Sequence, residues 1–127
     1  MKEHEEQVLI FQWAHGTKHL AGAILLYHDL ELLHAIPQQA RRTEAGYIWM
    51  HREGVRPGVP DINLPVPRGE YIGLWIELKA GKNKTTTDQD WWLEKLKERG
   101  HSTHVCYGAN AAINTITWYL ELKEKSA

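Results

Sequence analysis

The sequence predicts an α/β fold in which a mixed β-sheet is flanked by helices, and three observations lead to that prediction. Apolar positions at helical spacing alternate with short strand-like runs, in the order α, α, β, α, β, β, α, β, α. Two strand-length runs flank a turn rich in proline and glycine, as in a β-hairpin. The chain has 127 residues, enough for one hydrophobic core, so we expect residues 1–127 to form a single domain.

The first half of the chain is predicted to contain three helices and one strand. The helices span residues 2–15, 18–29 and 44–53, and the strand spans residues 31–37. Gly16 and Gly54 follow the first and third helices as stop signals, and Pro37 ends the strand. Thr43 is expected to cap the third helix.

The second half is predicted to begin with the hairpin and to end on a helix. The predicted elements are hairpin strands over residues 61–66 and 71–79, helices over residues 86–99 and 111–123, and a strand over residues 101–107. Thr86 and Gln89 have the spacing of a capping box, so they mark the start of the first of these helices. In the last strand, Val105, Cys106 and Tyr107 are expected to be the buried part.

The hairpin gathers charged side chains that are costly to place together. If its turn is centred between Arg68 and Gly69, Asp61 lies opposite Ile76, one step from Glu77. Alternation along the strand puts Glu77 and Lys79 on one face. Neighbouring carboxylates repel, and a divalent cation such as Mg²⁺ or Mn²⁺ would offset that repulsion. The alternative is an exposed hairpin that carries an ordinary Glu–Lys pair.

Composition limits the classes of function that the chain can have. The formal charge of −1 argues against a protein that binds nucleic acid by bulk electrostatics, although basic residues cluster locally. No apolar run is long enough to span a membrane, so we expect no membrane partner. The single cysteine, Cys106, excludes an internal disulfide, suits a reducing cytoplasm and is expected to be a core residue rather than a nucleophile. His15 and His19 are four residues apart, but Gly16 between them argues against a zinc site.

The order of the motifs resembles a known nuclease family. Pro60-Asp61 followed by Glu77-Leu78-Lys79 is similar to the PD-(D/E)XK signature, and the wider context resembles its VRR-NUC branch. That context is residues 3–7 with Trp13, residues 35–37, 58–61, 64–67, 73–79, 86–89 and 105–108, and the Ala111 to Ile113 segment. The resemblance covers nearly the whole chain. It implies a restriction-endonuclease-like fold.

The resemblance also implies roles for individual residues. Asp61 and Glu77 would bind Mg²⁺ or Mn²⁺ together with the carbonyl of Leu78, and Lys79 would position the attacking water. Gln89 would support the site. An acidic residue of the first helix would complete it, with Glu6 as the first choice and Glu3 as the second. Residues expected to contact the DNA backbone are Arg41, Arg42, Lys82 and Lys84.

The implied activity is hydrolysis of phosphodiester bonds in branched DNA. Compact members of this kind resemble Holliday-junction resolvases, which work as homodimers, and are of phage or prophage type. We therefore expect an endonuclease in the bacterial cytoplasm with no nucleotide cofactor. The alternatives are a 5′ flap or fork nuclease, a non-catalytic DNA-binding module, and a structural protein. Gln38-Gln39 departs from the Asn-Gly common in the family, which leaves the contacts of that loop open.

Overall fold

The computed structural model describes residues 1–37 and 44–124, which form the predicted α/β fold of a mixed sheet flanked by helices. The helices are α1 (Glu3–His15), α2 (Glu44–Arg52), α3 (Thr87–Glu98) and α4 (Ala109–Leu120). The strands are β1 (His34–Ala35), β2 (Ile62–Leu64), β3 (Leu74–Lys79) and β4 (Ser102–Tyr107). Two short 3-10 helices, Ala23–Leu25 and His28–Leu32, connect α1 to β1.

The sheet has the strand order β1-β2-β3-β4. The β1–β2 and β2–β3 pairs are antiparallel and the β3–β4 pair is parallel, so the predicted mixed sheet is confirmed. Because β3 has a neighbour on each side, its backbone polar groups are satisfied and its side chains are covered. Alternate residues Leu74, Ile76 and Leu78 are at most 1% exposed and belong to the core.

Helices α1 and α4 pack together and against the sheet, and this contact forms the centre of the core. Ile10 and Ala14 of α1 and Ile116 and Tyr119 of α4 are fully buried. The Tyr119 hydroxyl donates a hydrogen bond of 2.6 Å to the carbonyl oxygen of Val66, which satisfies its polar end inside the core. Burial of these side chains fixes α1 next to β3, the strand that contains Glu77.

The helix predicted over residues 18–29 is wrong. The chain instead reverses after α1, where the Thr17 amide donates a hydrogen bond to the Leu20 carbonyl and the Thr17 hydroxyl accepts one from the Leu20 amide. Gly22 then lies so close to Gly16 that a Cβ atom at Gly22 would be 2.3 Å from the Gly16 amide nitrogen. A tight turn closed by two glycines leaves room only for 3-10 turns up to Leu32.

The hairpin is confirmed, but its predicted register is wrong by one residue. Ile62 pairs with Ile76, so Asp61 lies opposite Glu77 rather than opposite Ile76. The turn is closed by the pair Arg68 and Tyr71, and residues 65–67 on one side face only residues 72–73 on the other. The turn is centred between Gly69 and Glu70, one residue later than predicted, which alone would place Asp61 opposite Leu78. The extra residue acts as a bulge and moves the partner of Asp61 back to Glu77. Pro65 and Pro67 cannot donate to the ladder, which shortens β2.

Smaller differences occur at the ends of the elements. The strand predicted over residues 31–37 is reduced to β1, because its first two residues belong to a 3-10 helix. Of the three β4 residues expected to be buried, only Cys106 is, whereas Val105 and Tyr107 are 38% and 51% exposed. Thr43 lies outside the described residues. Within residues 1–37 and 44–124, every helix is too short or too polar to cross a membrane.

Candidate active site

The hairpin brings Asp61 and Glu77 face to face at the end of the β2–β3 ladder. The register that pairs Ile62 with Ile76 continues by one residue to this pair, and directly opposite residues of an antiparallel pair share a face. The Asp61 carboxylate accepts a hydrogen bond of 2.8 Å at Oδ2 from the amide of Leu78. Its backbone carbonyl accepts a bond of 2.7 Å from the Ile36 amide, so Asp61 is tied to both neighbouring segments.

Glu77 is a carboxylate enclosed by the fold. The residue is 2% exposed, and its Oε1 atom has no hydrogen-bond partner among the described residues. Its Oε2 atom accepts a hydrogen bond of 3.1 Å from Nε2 of Gln89 and lies 3.6 Å from Nζ of Lys79. A buried carboxylate oxygen without a donor is costly, so the site has an unmet need for a proton or a cation.

The same need appears in the acidity of the two carboxyl groups. Burial, with the neighbouring Asp61 carboxylate, raises the pKa of Glu77 to about 8. Burial also raises the pKa of Asp61, while the hydrogen bond from Leu78 acts in the opposite direction. Each of the two carboxyl groups thus acts on the pKa of the other. Such a pair holds its full negative charge at neutral pH only when positive charge is supplied.

Lys79 supplies part of that positive charge from the same face of β3. Its side chain is 8% exposed, and its ammonium group lowers the pKa of both carboxyl groups. One ammonium group against two carboxylates still leaves the cluster short of positive charge. The cluster therefore keeps a proton on one carboxyl group, or binds a further cation when both carboxylates are ionised.

The start of α3 positions Gln89 against Glu77. Thr86 is the N-cap, its hydroxyl accepts from the Gln89 amide at 3.2 Å, and Gln89 Oε1 accepts from the Thr86 amide at 2.9 Å. The predicted capping box is therefore confirmed. With Oε1 held by Thr86, the Nε2 donor of Gln89 points to Glu77. Both the structural role and the contact with the carboxylate belong to one side chain.

The two acidic candidates of α1 have different environments. Glu6 Oε2 accepts a 2.5 Å hydrogen bond from the amide of Ala109, the first residue of α4, and so caps that helix. Glu3 lines a cavity of about 390 Å³ together with Asp61 and Leu78. The Glu3 carboxylate also contributes to raising the pKa of Asp61, which is evidence of proximity.

The basic loop after β3 is attached to the mouth of this cavity. Asn83 donates a hydrogen bond of 3.1 Å from Nδ2 to Glu3 Oε2, and its carbonyl accepts one of 2.9 Å from the Tyr107 hydroxyl. Lys82 and Lys84 flank Asn83 and are exposed. Neither Asn83 nor Tyr107 has a spacing or periodicity that singles it out in the sequence. Arg41 and Arg42 lie outside the described residues.

Residues set aside in the sequence analysis have structural contacts. Cys106 is 4% exposed, and its sulfur lies 3.4 Å from the Thr115 hydroxyl, as expected for a core residue. His15 Nε2 is within 2.8 Å of the Leu30 carbonyl oxygen, so this histidine ties α1 to the following 3-10 helix. His19 is exposed and lies in the turn after α1.

The donor set suits a hard divalent cation. Asp61 and Glu77 offer carboxylate oxygens, and the unpartnered Glu77 Oε1 is the atom that a cation would satisfy. In the part of the chain that the structure describes, no three histidine, cysteine or acidic side chains form a metal-binding group. A cation held by two carboxylates keeps several water ligands, which is the behaviour of Mg²⁺.

Comparisons with known proteins agree with this geometry. The model of the VRR-NUC domain family matches residues 1–110. A solved structure described as a VRR_NUC domain protein is similar with a TM-score of 0.77 and 28% sequence identity, over 98% of this chain and 92% of that chain. No curated protein sequence matches the chain.

The family match includes every residue of the buried cluster. Asp61, Glu77, Lys79 and Gln89 all lie within residues 1–110, and the similar solved structure extends over the fold that positions them. The chain therefore belongs to the VRR-NUC domain family, nucleases of the PD-(D/E)XK type.

Proposed function

We propose that this protein is a divalent-metal-dependent endonuclease that hydrolyses phosphodiester bonds in branched DNA, with Holliday junctions as its first substrate. The observation that best supports the proposal is the pair of facing carboxylates, Asp61 and Glu77, with the ammonium group of Lys79 beside them. A binding module or a structural protein has no need of a buried cluster in which two carboxylates face only one ammonium group. A nuclease requires such a site.

Each residue of the cluster has a part in the proposed reaction. Asp61, Glu77 and the Leu78 carbonyl would hold Mg²⁺ or Mn²⁺. The bound ion would polarise the scissile phosphate and favour deprotonation of the attacking water. Lys79 would orient that water and offset charge that develops on the phosphate oxygens. Gln89 would keep the Glu77 carboxylate in the orientation that binding requires.

The acidic residue from the first helix in this proposal is Glu3 rather than Glu6. Glu3 shares a cavity with Asp61, whereas the Glu6 carboxylate is already occupied by the amide of Ala109. Because the Asn83 side chain is the one hydrogen-bond partner of the Glu3 side chain within residues 1–37 and 44–124, Glu3 can turn toward a water ligand without breaking a helix cap. Glu6 would then stabilise α4.

Contacts with DNA are proposed to come from loops at the mouth of the cavity. Lys82 and Lys84 would bind backbone phosphates, since the hydrogen bonds of Asn83 hold their loop beside Glu3. Arg41 and Arg42 would act in the same way. Such contacts position the duplex without reading its bases, which suits recognition of DNA shape.

A homodimer is proposed because symmetric junction cleavage needs two sites. Leu20, Leu25 and Leu26, here named the leucine patch, are 72%, 71% and 77% exposed on the segment between α1 and β1. Apolar side chains that are exposed close together in sequence are typical of an interface, and a second copy would cover them. Leu26→Glu should therefore convert a dimer to a monomer in a sizing experiment, whereas an unchanged size would reject this surface.

A 5′ flap or replication fork is the second candidate substrate. Trp49 and Trp91 are 58% and 54% exposed. Unpaired bases at a branch stack on exposed aromatic rings, which favours these substrates.

The test combines metal binding with cleavage. Titration of Mn²⁺ by calorimetry should give heat with the wild type and none with Asp61→Asn, which keeps an acceptor for the Leu78 amide but removes the charge. Glu70→Gln removes an exposed charge in the hairpin turn and is the matched control. Labelled four-way, flap, fork and linear duplexes should be cut only when metal is present. Equal heats for wild type and Asp61→Asn, or equal cleavage by both, would reject the site.

A further inference from the structure

A second concave surface lies between α2 and α3, here named the α2–α3 groove. It has a volume of about 450 Å³, within the range of ligand-binding clefts. The residues that matter here are Tyr47, His51, Arg56, Asp88, Trp91 and Trp92. The catalytic cluster uses none of them, so the groove needs its own explanation.

The groove contains a rigid aromatic wall. The rings of Trp91 and Trp92 meet edge to face, with centroids 5.4 Å apart and an interplanar angle of 86°. The indole nitrogen of Trp92 donates a hydrogen bond of 3.0 Å to the Pro57 carbonyl, which fixes that ring. Trp91 packs against the fixed ring and is 54% exposed. A large apolar ring that is held in place and open to solvent is ready to stack on a planar ligand.

Polar groups at the groove suit a nucleotide. Arg56 is exposed and has no ion-pair partner within residues 1–37 and 44–124, so its guanidinium group can bind a phosphate. His51 lies on the α2 side and Asp88 on the α3 side. The Asp88 carboxylate can accept a hydrogen bond from an N–H group of a base, such as N3–H of thymine. An aromatic wall beside one free guanidinium group complements a base that is attached to a phosphate.

The groove is connected to the active site by the start of α3. Asp88, in the groove, directly precedes Gln89, which contacts Glu77. The segment leading to Asp61 is also fixed to this wall. Gly58 has a φ of 88°, and a Cβ atom there would lie 2.6 Å from the carbonyl carbon of Asp88, so only glycine allows this contact. A nucleotide in the groove would therefore be close to the DNA strand that is cut at the Asp61 and Glu77 carboxylates.

We infer that the α2–α3 groove binds an unpaired nucleobase at the branch point of the DNA substrate, stacked on Trp91 with a phosphate on Arg56. This inference rests on the proposed nuclease function, and among branched substrates it favours flaps and forks, which carry unpaired nucleotides, over a fully paired four-way junction. A second protein copy is a poorer occupant, because the groove carries charged and hydrogen-bonding groups whereas the leucine patch offers three exposed apolar side chains.

The test measures binding without cleavage. Fluorescence anisotropy in the presence of EDTA compares a labelled short oligothymidine with a fully paired duplex of the same length. Trp91→Ala should weaken binding of the oligothymidine by about tenfold, the loss of one base–aromatic stack, and leave duplex binding unchanged. Arg56→Gln should weaken it less and reduce its salt dependence. Trp118→Ala is the matched control, since Trp118 is 45% exposed on α4 and should have no effect.

Three outcomes would overturn the inference. The first is unchanged oligothymidine binding by Trp91→Ala. The second is an equal loss with paired duplex, and the third is a change from dimer to monomer, which would make the groove a protein interface. Cleavage assays on the wild type and on Asp61→Asn separate this inference from the proposed function. If neither protein cuts DNA but Trp91 is still needed for oligothymidine binding, the nuclease proposal fails and the inference about the groove stands.

Discussion

Gln89 donates a hydrogen bond from Nε2 to Glu77 Oε2 across 3.1 Å, while its Oε1 atom accepts one from the Thr86 amide. One amide group therefore belongs both to the capping box of α3 and to the buried carboxylate. Because the start of the helix fixes the amide, it also fixes the direction from which Glu77 is approached. The effect of the helix cap and the effect on the Glu77 carboxylate can be separated only by comparing a Gln89 variant with a Thr86 variant.

Gln89→Ala should reduce both stability and cleavage. Loss of the capping interaction should cost about 1 kcal/mol, and loss of the donor to Glu77 should lower the cleavage rate by about tenfold or more. Thr86→Ala removes the hydroxyl of the cap but leaves the Gln89 donor in place, so it should cost similar stability with little loss of rate. Urea unfolding and initial cleavage rates measure the two effects.

A second measurement decides whether Gln89 acts on the carboxylate. Mn²⁺ affinity should fall in Gln89→Ala and stay at the wild-type value in Thr86→Ala. If both variants lose rate and affinity equally, the start of α3 matters as a whole and the contact between Gln89 and Glu77 has no separate role.

Lys79→Met should bind junction DNA but cleave it far more slowly. Methionine keeps most of the buried volume and removes the ammonium group, which lies 3.6 Å from Glu77 Oε2. Since Lys79 lowers the pKa of Glu77, its loss should raise that pKa further and shift Mn²⁺ binding to higher pH. Gel-shift assays with Ca²⁺ and cleavage assays with Mg²⁺ separate binding from chemistry. Undiminished cleavage by Lys79→Met would contradict the proposed role.

Much of the fold follows from local signals that the sequence contains in full. The capping box of Thr86 and Gln89 and the stop at Gly16 depend on residues within one turn, and the structure agrees with both. The exact hairpin register depends on three residues opposite two in the β2–β3 connection. Alternation alone locates neither the turn centre, which lies one residue later than expected, nor such a bulge, and the two together put Asp61 one position away from its predicted partner.

The missed parts of the site depend on contacts between distant segments. Glu6 lies 103 residues from Ala109, whose amide it caps, and Asn83 lies 80 residues from Glu3. Both acidic residues of α1 fit the same sequence pattern, and only the packing of α1 against α4 gives them different neighbours. The burial of Glu77 is likewise a property of the packed sheet.

Glu6 and Glu3 should show opposite effects when each is replaced by alanine. Glu6→Ala leaves the first amide of α4 without its acceptor and should lower stability by about 1 kcal/mol, with cleavage per folded molecule unchanged. Glu3→Ala should leave the unfolding midpoint unchanged and lower the cleavage rate and the Mn²⁺ affinity. Circular dichroism melts together with calorimetry measure both. The reverse pattern would return the catalytic role to Glu6.

Stability of the metal-free protein should fall as the pH rises above neutrality. The pKa of Glu77 is about 8 in the fold against an ordinary value of 4.5, so between these values the folded state keeps a proton that the unfolded state releases. The stabilisation that the Glu77 carboxyl group contributes is fully present below pH 4.5 and is lost as the pH rises through about 8. In between, the free energy of unfolding decreases by up to about 1.4 kcal/mol per pH unit.

Urea unfolding in EDTA between about pH 7 and pH 8 measures this slope, which levels off above the folded-state pKa of Glu77. Burial lowers the pKa of His101 and His104, but both are neutral in the folded and unfolded states over most of this range. Glu77→Gln carries no charge and should flatten the slope. Saturating Mn²⁺ should restore stability to the wild type at high pH and not to the variant, because only the ionised carboxylate binds the ion. A slope as steep in Glu77→Gln as in the wild type would assign the proton to another group.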